Sequence, residues 1–175
     1  EDMYTINPSW GKYDSVGQGG HGTGMAGLAL YGDLADLMGN NLPIRIFHKL
    51  ESVKIYHQNV ANDPKLYGAI TEEACSTPII TKPEAKRVFC MSVTSEKNAL
   101  KGRPSSWSAS VDKIAFGTAL DEKFEQLFIV SGGNVIIRHK DEYSDTYISI
   151  LESSIHDPGQ AYNAITVGTY TQKTL

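Results

Sequence analysis

The sequence predicts an α/β fold, a mostly parallel sheet in three layers with helices on both faces. Three observations carry that expectation. Apolar runs at 87–93 and 126–130 have the length and the aromatic and β-branched content of strands covered by other elements. Helical patterns at 63–77 and 104–115 precede each of them. With an alternating run at 52–56 these give a strand, helix, strand, helix, strand order, the signature of parallel strands joined by crossovers, and Ala164-Ile165-Thr166-Val167 reads as a further strand.

The elements follow in chain order. The first twenty residues are rich in Gly, Pro, Ser and Asn and read as loop, from Asn7-Pro8 to Gly19-Gly20. Met25, Ala26, Leu28 and Ala29 then recur at helical spacing until Gly32, which predicts a helix over 21–31. Pro43–Phe47 and Ser52–Tyr56 alternate as short strands do. Asp63-Pro64 is a helix start, an acceptor side chain followed by a proline whose missing N–H costs nothing there. Leu66, Ile70 and Ala74 share a face, Glu72 and Glu73 turn outward as a solvated edge, and Thr77-Pro78 is expected to end the helix. After Pro104, Ser105 and Ser106 read as helix-start residues, and Trp107, Val111, Ile114 and Ala115 form an inward stripe.

The chain has 175 residues, 41% of them hydrophobic, enough for one domain with a real core. Asp and Glu (20) outnumber Lys and Arg (16), giving a formal charge of −4, and a nucleic-acid groove needs a basic footprint instead. No run approaches the roughly 18 apolar residues of a membrane span. The N-terminus lacks the basic-then-apolar pattern of a signal peptide, and its start at Glu1 suggests a processed or cut-down piece. Two cysteines make no disulfide framework, and Cys90, within an apolar run, is expected to be buried.

In a parallel sheet, functional loops gather at the carboxyl ends of the strands. Two strands end in short polar sequences there, Ser92-Val93-Thr94-Ser95 and Ser131-Gly132-Gly133-Asn134. His21 opens a helix between glycines, which leave its imidazole unobstructed as a general base. His48 and His57 flank strands, but no Cys or carboxylate spacing accompanies them as a metal set would require. No metal and no cofactor is expected.

Four segments, in order, resemble the subtilisin-like serine peptidases. Gly20-His21-Gly22-Thr23-Gly24-Met25-Ala26-Gly27 is similar to that family's histidine motif, G-H-G-T-H-V-A-G. Val88-Phe89-Cys90-Met91-Ser92 resembles its substrate-lining strand, V-I-N-M-S. Phe128-Ile129-Val130-Ser131-Gly132-Gly133-Asn134 resembles V-V-A-A-A-G-N, and Ala161–Gly168 resembles a later strand, S-V-I-A-V-G-A. The resemblance spans nearly the whole chain. It implies that His21 takes a proton from a serine nucleophile and returns it to the leaving amine, and that Asn134 donates to the oxyanion. It further implies that Ser92, Val93 and Thr94 offer backbone groups to an extended peptide, and that Gly132 and Gly133 keep the wall of the specificity pocket open.

Two triad members are missing. The nucleophile motif, G-T-S followed by a small residue and Pro, occurs nowhere in these residues. Asp14-Ser15-Val16-Gly17 has only a superficial likeness to the family's D-[ST]-G, since no buried strand precedes it and His21 follows after seven residues. Both Asp2 and Asp14 read as surface loop residues. Residues 1–175 therefore resemble the central part of one catalytic domain, an incomplete subtilisin-like fold whose aspartate strand is expected upstream of Glu1 and whose serine segment is expected beyond Leu175. The piece alone is expected to be inactive. Its expected partner is a peptide or protein substrate, with no nucleic acid and no membrane, and open strand edges favour self-association.

Gly24 departs from the family's second histidine, a helical glycine costing about 1 kcal/mol relative to Ala, and Thr94 stands where Gly is common. The rival reading is a catalytically dead subtilase-like domain that binds peptides or partners. A small-ligand α/β domain would want G-x-G-x-x-G after a strand, which the sequence lacks.

Overall fold

The computed structural model describes residues 2–14, 19–39, 43–96, 102–117, 125–134 and 154–169. The chain forms two compact units, one of Glu1–Asn62 with Glu73–Glu84 and the other of Asp63–Glu72 with Ala85–Leu175.

The first unit is built on two short parallel strands, β1 (Met3–Thr5) and β2 (Ser52–Lys54), with Met3 opposite Ser52 and Thr5 opposite Lys54. The start of the chain is thus not all loop. A three-residue strand in a Gly- and Pro-rich stretch is defined by its partner fifty residues away, not by its own pattern. Pro43–Phe47, by contrast, is no strand: Ile46 and Phe47 are exposed and nothing pairs with the segment among the described residues. Alternation without a partner leaves the backbone irregular.

Helix α1 covers His21–Tyr31 and ends on Gly32 at φ 71°, a left-handed position that favours glycine. A short α2 (Leu34–Met38) follows, its first turn capped by Asp33, which accepts from the Ala35 N–H at 2.8 Å. In the same way Asp63 caps a 3₁₀ turn at Pro64–Leu66, accepting from the Lys65 N–H at 3.0 Å, and α3 (Tyr67–Thr81) continues from it.

Pro78 does not end α3. It falls in the last turn, where a missing N–H forfeits a single helical bond. The hydroxyls of Thr77 and Thr81 donate to the Glu73 and Thr77 carbonyls at 2.9 and 2.8 Å, and the Lys82 N–H closes on the Pro78 carbonyl.

The second unit holds a three-stranded parallel sheet in the order β3 (Val88–Met91), β4 (Leu127–Ser131), β5 (Ile165–Val167). Helix α4 (Ser106–Phe116) connects β3 to β4 and packs against β4. Its N-terminus carries a reciprocal cap: Ser105 Oγ accepts from the Ser108 N–H at 3.0 Å, and Ser108 Oγ accepts from the Ser105 N–H at 2.7 Å. Trp107, Val111, Ile114 and Ala115 are buried, as the stripe predicts, together with Phe128, Val130 and Met91 from the sheet. Phe89 stacks on Phe128 across the β3–β4 pair at 5.6 Å. The Trp107 indole N–H donates to Thr71 Oγ1 at 2.8 Å, and Tyr67 packs on the Trp107 ring at 4.8 Å. Glu72 is not simply solvated, since Lys113 of α4 donates to it at 2.9 Å.

The α/β class with parallel strands is therefore present, but the burial of the individual strands differs from expectation. Phe128 and Val130 are 1% exposed while Leu127 is 46%, and β3 alternates likewise. Val88 and Cys90 point to the face opposite Phe89 and Met91, so Cys90 is exposed rather than buried. An apolar run reads as covered on both sides, yet strand geometry turns successive side chains to opposite faces. The buried thiol is Cys75 on α3, and burial pushes it up to about 12, which keeps it an unreactive thiol at neutral pH.

Candidate active site

His21 is the first residue of α1, exposed, with Gly20 before it in the left-handed region at φ 54°. Gly20 has no side chain to cap the helix. That task falls to Asp14, whose Oδ2 accepts from the Thr23 N–H at 2.8 Å and from Thr23 Oγ1 at 3.0 Å. Asp14 is thus an exposed loop residue, as expected, but one engaged with the histidine-bearing turn. Ser15, Val16 and Gly17, the remainder of the D-S-V-G stretch, lie outside the described residues. His48 donates from Nε2–H to the Ala29 carbonyl at 2.8 Å, and His57 stacks on Trp10 at 5.8 Å.

The other predicted residues all belong to the second unit and share one edge of its sheet. Met91 is opposite Val130, so Ser92-Val93-Thr94 and Ser131-Gly132-Gly133-Asn134 leave the β3–β4 ladder side by side at its carboxyl end. There the strands part company. β4 stays with β5, with Ser131 opposite Val167 and the Gly132 N–H donating to the Val167 carbonyl at 2.8 Å. The β3 extension instead bridges the loop before β5: the Ser95 N–H donates to the Asp157 carbonyl at 2.9 Å, and the Asp157 N–H to the Ser95 carbonyl at 3.2 Å. Ser92, Val93 and Thr94 are left between the two pairings, with Val93 37% exposed. A divergence of this kind at the carboxyl edge of a parallel sheet is where such folds place ligands.

The loop at 155–160 closes the back of this edge. The His156 N–H donates to the Gly132 carbonyl at 3.0 Å, and the His156 ring lies directly against Gly133, whose φ is +93°. Asn134 follows, exposed at the rim. Asp157 is buried, and its carboxylate accepts from the hydroxyl of Ser105, the capping residue of α4. Neither His156 nor Asp157 stands out in the sequence, because the contacts that matter reach across more than twenty positions to a glycine and more than fifty to a serine.

Burial holds the Asp157 carboxyl above the ordinary carboxylate value of 3.8, partly offset by the Ser105 hydrogen bond. An acid whose folded-state value is raised contributes most to stability below its unfolded value, and that contribution is lost as pH rises through the folded one. Asp157→Asn keeps an acceptor for Ser105 and removes the charge. We expect its melting temperature to gain on the parent's as pH rises above about 4. Parallel pH profiles of thermal unfolding measure this, and profiles that stay a constant distance apart would contradict it.

The model of the Peptidase S8 family, the subtilases, matches residues 1–175. No curated protein and no solved structure gives a match. The histidine-bearing helix, the parting β3 and β4 ends and a family match across the whole chain agree, and the chain belongs to the subtilase family of serine peptidases.

Proposed function

We propose that this chain is the central part of a subtilase catalytic domain and supplies its general base and one oxyanion donor, while the nucleophilic serine and triad aspartate come from segments outside these residues. His21 takes the hydroxyl proton of the serine as its oxygen attacks the scissile carbonyl. The carbonyl oxygen becomes the oxyanion of a tetrahedral intermediate, to which the Asn134 carboxamide donates. When the C–N bond breaks, His21 returns the proton to the leaving amine, and water repeats the cycle on the acyl-enzyme. Ser92, Val93 and Thr94 pair with an extended peptide by strand addition, and Gly132 and Gly133 line the pocket beside it.

The observation that carries this reading is the parting of β3 and β4, which leaves the 92–94 and 132–134 segments adjacent at the carboxyl edge of a parallel sheet. Triad members act as a unit, so the 175-residue chain by itself is expected to show no turnover of casein or a fluorogenic peptide panel. Turnover by the chain that His21→Ala abolishes would overturn the proposal that the serine and aspartate lie elsewhere.

A further inference from the structure

The segment running from β1 to Asp14 is tied down at several points. Asn7 Oδ1 accepts from the Ser9 N–H at 3.0 Å and caps a 3₁₀ turn at Pro8–Trp10, and Trp10 stacks on His57. Lys54, the last residue of β2, donates through Nζ to the Trp10 carbonyl at 3.1 Å and to the Tyr13 carbonyl at 2.9 Å. The second of these carbonyls immediately precedes Asp14. Asp14 in turn accepts two hydrogen bonds from Thr23, the third residue of α1. Its carboxylate also lies over Gly22, where an added Cβ would come within 3.4 Å of Oδ2.

We infer that Asp14, held in place by Lys54, is a positioning residue for His21. The first N–H groups of a helix have no partner within it, and a first turn without a cap frays. His21 sits in that turn, and Gly20 offers no side chain to secure it. A carboxylate at a helix N-terminus is favoured by charge as well as by the hydrogen bonds it accepts. Lys54 fixes the strap on which this carboxylate is carried, so the orientation of the imidazole is referred back to the β1–β2 pair rather than to α1 alone. The sequence hides the arrangement, because the cap stands nine positions before the residue it caps.

The inference rests on the reading of His21 as the proton acceptor, and the test separates the two. Heteronuclear NMR on the 175-residue chain compares the parent with Asp14→Asn, Asp14→Glu and Lys54→Met, using Asp33→Asn, which removes the cap charge of α2, as the control. In Asp14→Asn the Thr23 amide is expected to exchange about tenfold faster, and the His21 Cε1–Hε1 resonance to shift and broaden. The amides of Tyr4 and Val53 should remain in place, which reports that the β1–β2 pair is folded. Asp14→Glu restores much of the His21 signal, Lys54→Met reproduces the change in weaker form, and Asp33→Asn leaves it alone. In the active protease, Asp14→Asn lowers kcat about tenfold and leaves KM within twofold. An unaltered His21 resonance in Asp14→Asn, or an equal change in Asp33→Asn, overturns the inference. Proteolysis that survives His21→Ala overturns the functional reading instead, and the NMR result then still decides whether Asp14 positions the ring.

Discussion

His21→Ala is expected to lower kcat for peptide hydrolysis on the order of 10⁶-fold in the protease that carries this chain, with KM little changed. The magnitude is that of subtilisin, where losing the histidine alone costs about as much as losing the whole triad. His21 is exposed at the first position of α1, and no residue of that helix is fully buried, so removing the imidazole opens no cavity. The first turn is capped by Asp14 through Thr23. Asn134→Ala should cost much less, about 10²–10³ in kcat, the value known for the oxyanion asparagine of subtilisin. The two deficits report different steps, proton transfer and charge stabilisation. Steady-state hydrolysis of a fluorogenic peptide measures both, with circular dichroism to verify the fold. A His21→Ala enzyme within tenfold of the parent would remove the general base from the scheme.

The parts of the fold that were legible in the sequence are those whose signals are local. Helix α4 has a start signal at Pro104-Ser105 and an inward stripe with no competing pattern, and both the helix start and the buried stripe are present as read. β3, β4 and β5 were legible from their apolar runs, but which face is covered is not a local property, and Cys90 on β3 is exposed for that reason. β1 depends on hydrogen bonds to residues 52–54, which no property of Met-Tyr-Thr announces. The candidate site divides along the same line. His21 and Asn134 are legible because motifs with a fixed local spacing surround them. Asp14, Lys54, His156 and Asp157 act through contacts made across 9 to 62 positions, and contacts between such distant positions have no period.

Gly133→Ala is expected to destabilise the sheet unit by about 2–6 kcal/mol, and two independent terms lead there. The first is conformational. Gly133 has φ +93°, where a residue with a Cβ is strained by about 1–3 kcal/mol. The second is steric, because the added methyl would overlap the His156 imidazole and overpacking of this kind typically costs about 1–3 kcal/mol. His156 has little freedom to yield: its N–H is bound to the Gly132 carbonyl, and its neighbour Asp157 is bridged to Ser95 and bonded to Ser105. For a chain of this length the shift in melting temperature is about 4–24 °C. A second substitution separates the terms. In Gly133→Ala combined with His156→Ala the overlap is gone and the strained φ is not, so roughly half the loss relative to His156→Ala alone should persist. Full persistence would mean that the ring does not pack on Gly133, and a single variant as stable as the parent would remove both terms. Because Asn134 is the next residue, whatever backbone movement relieves the strain is transmitted to the proposed oxyanion donor. Gly133→Ala should therefore lower kcat even at temperatures where the protein remains folded.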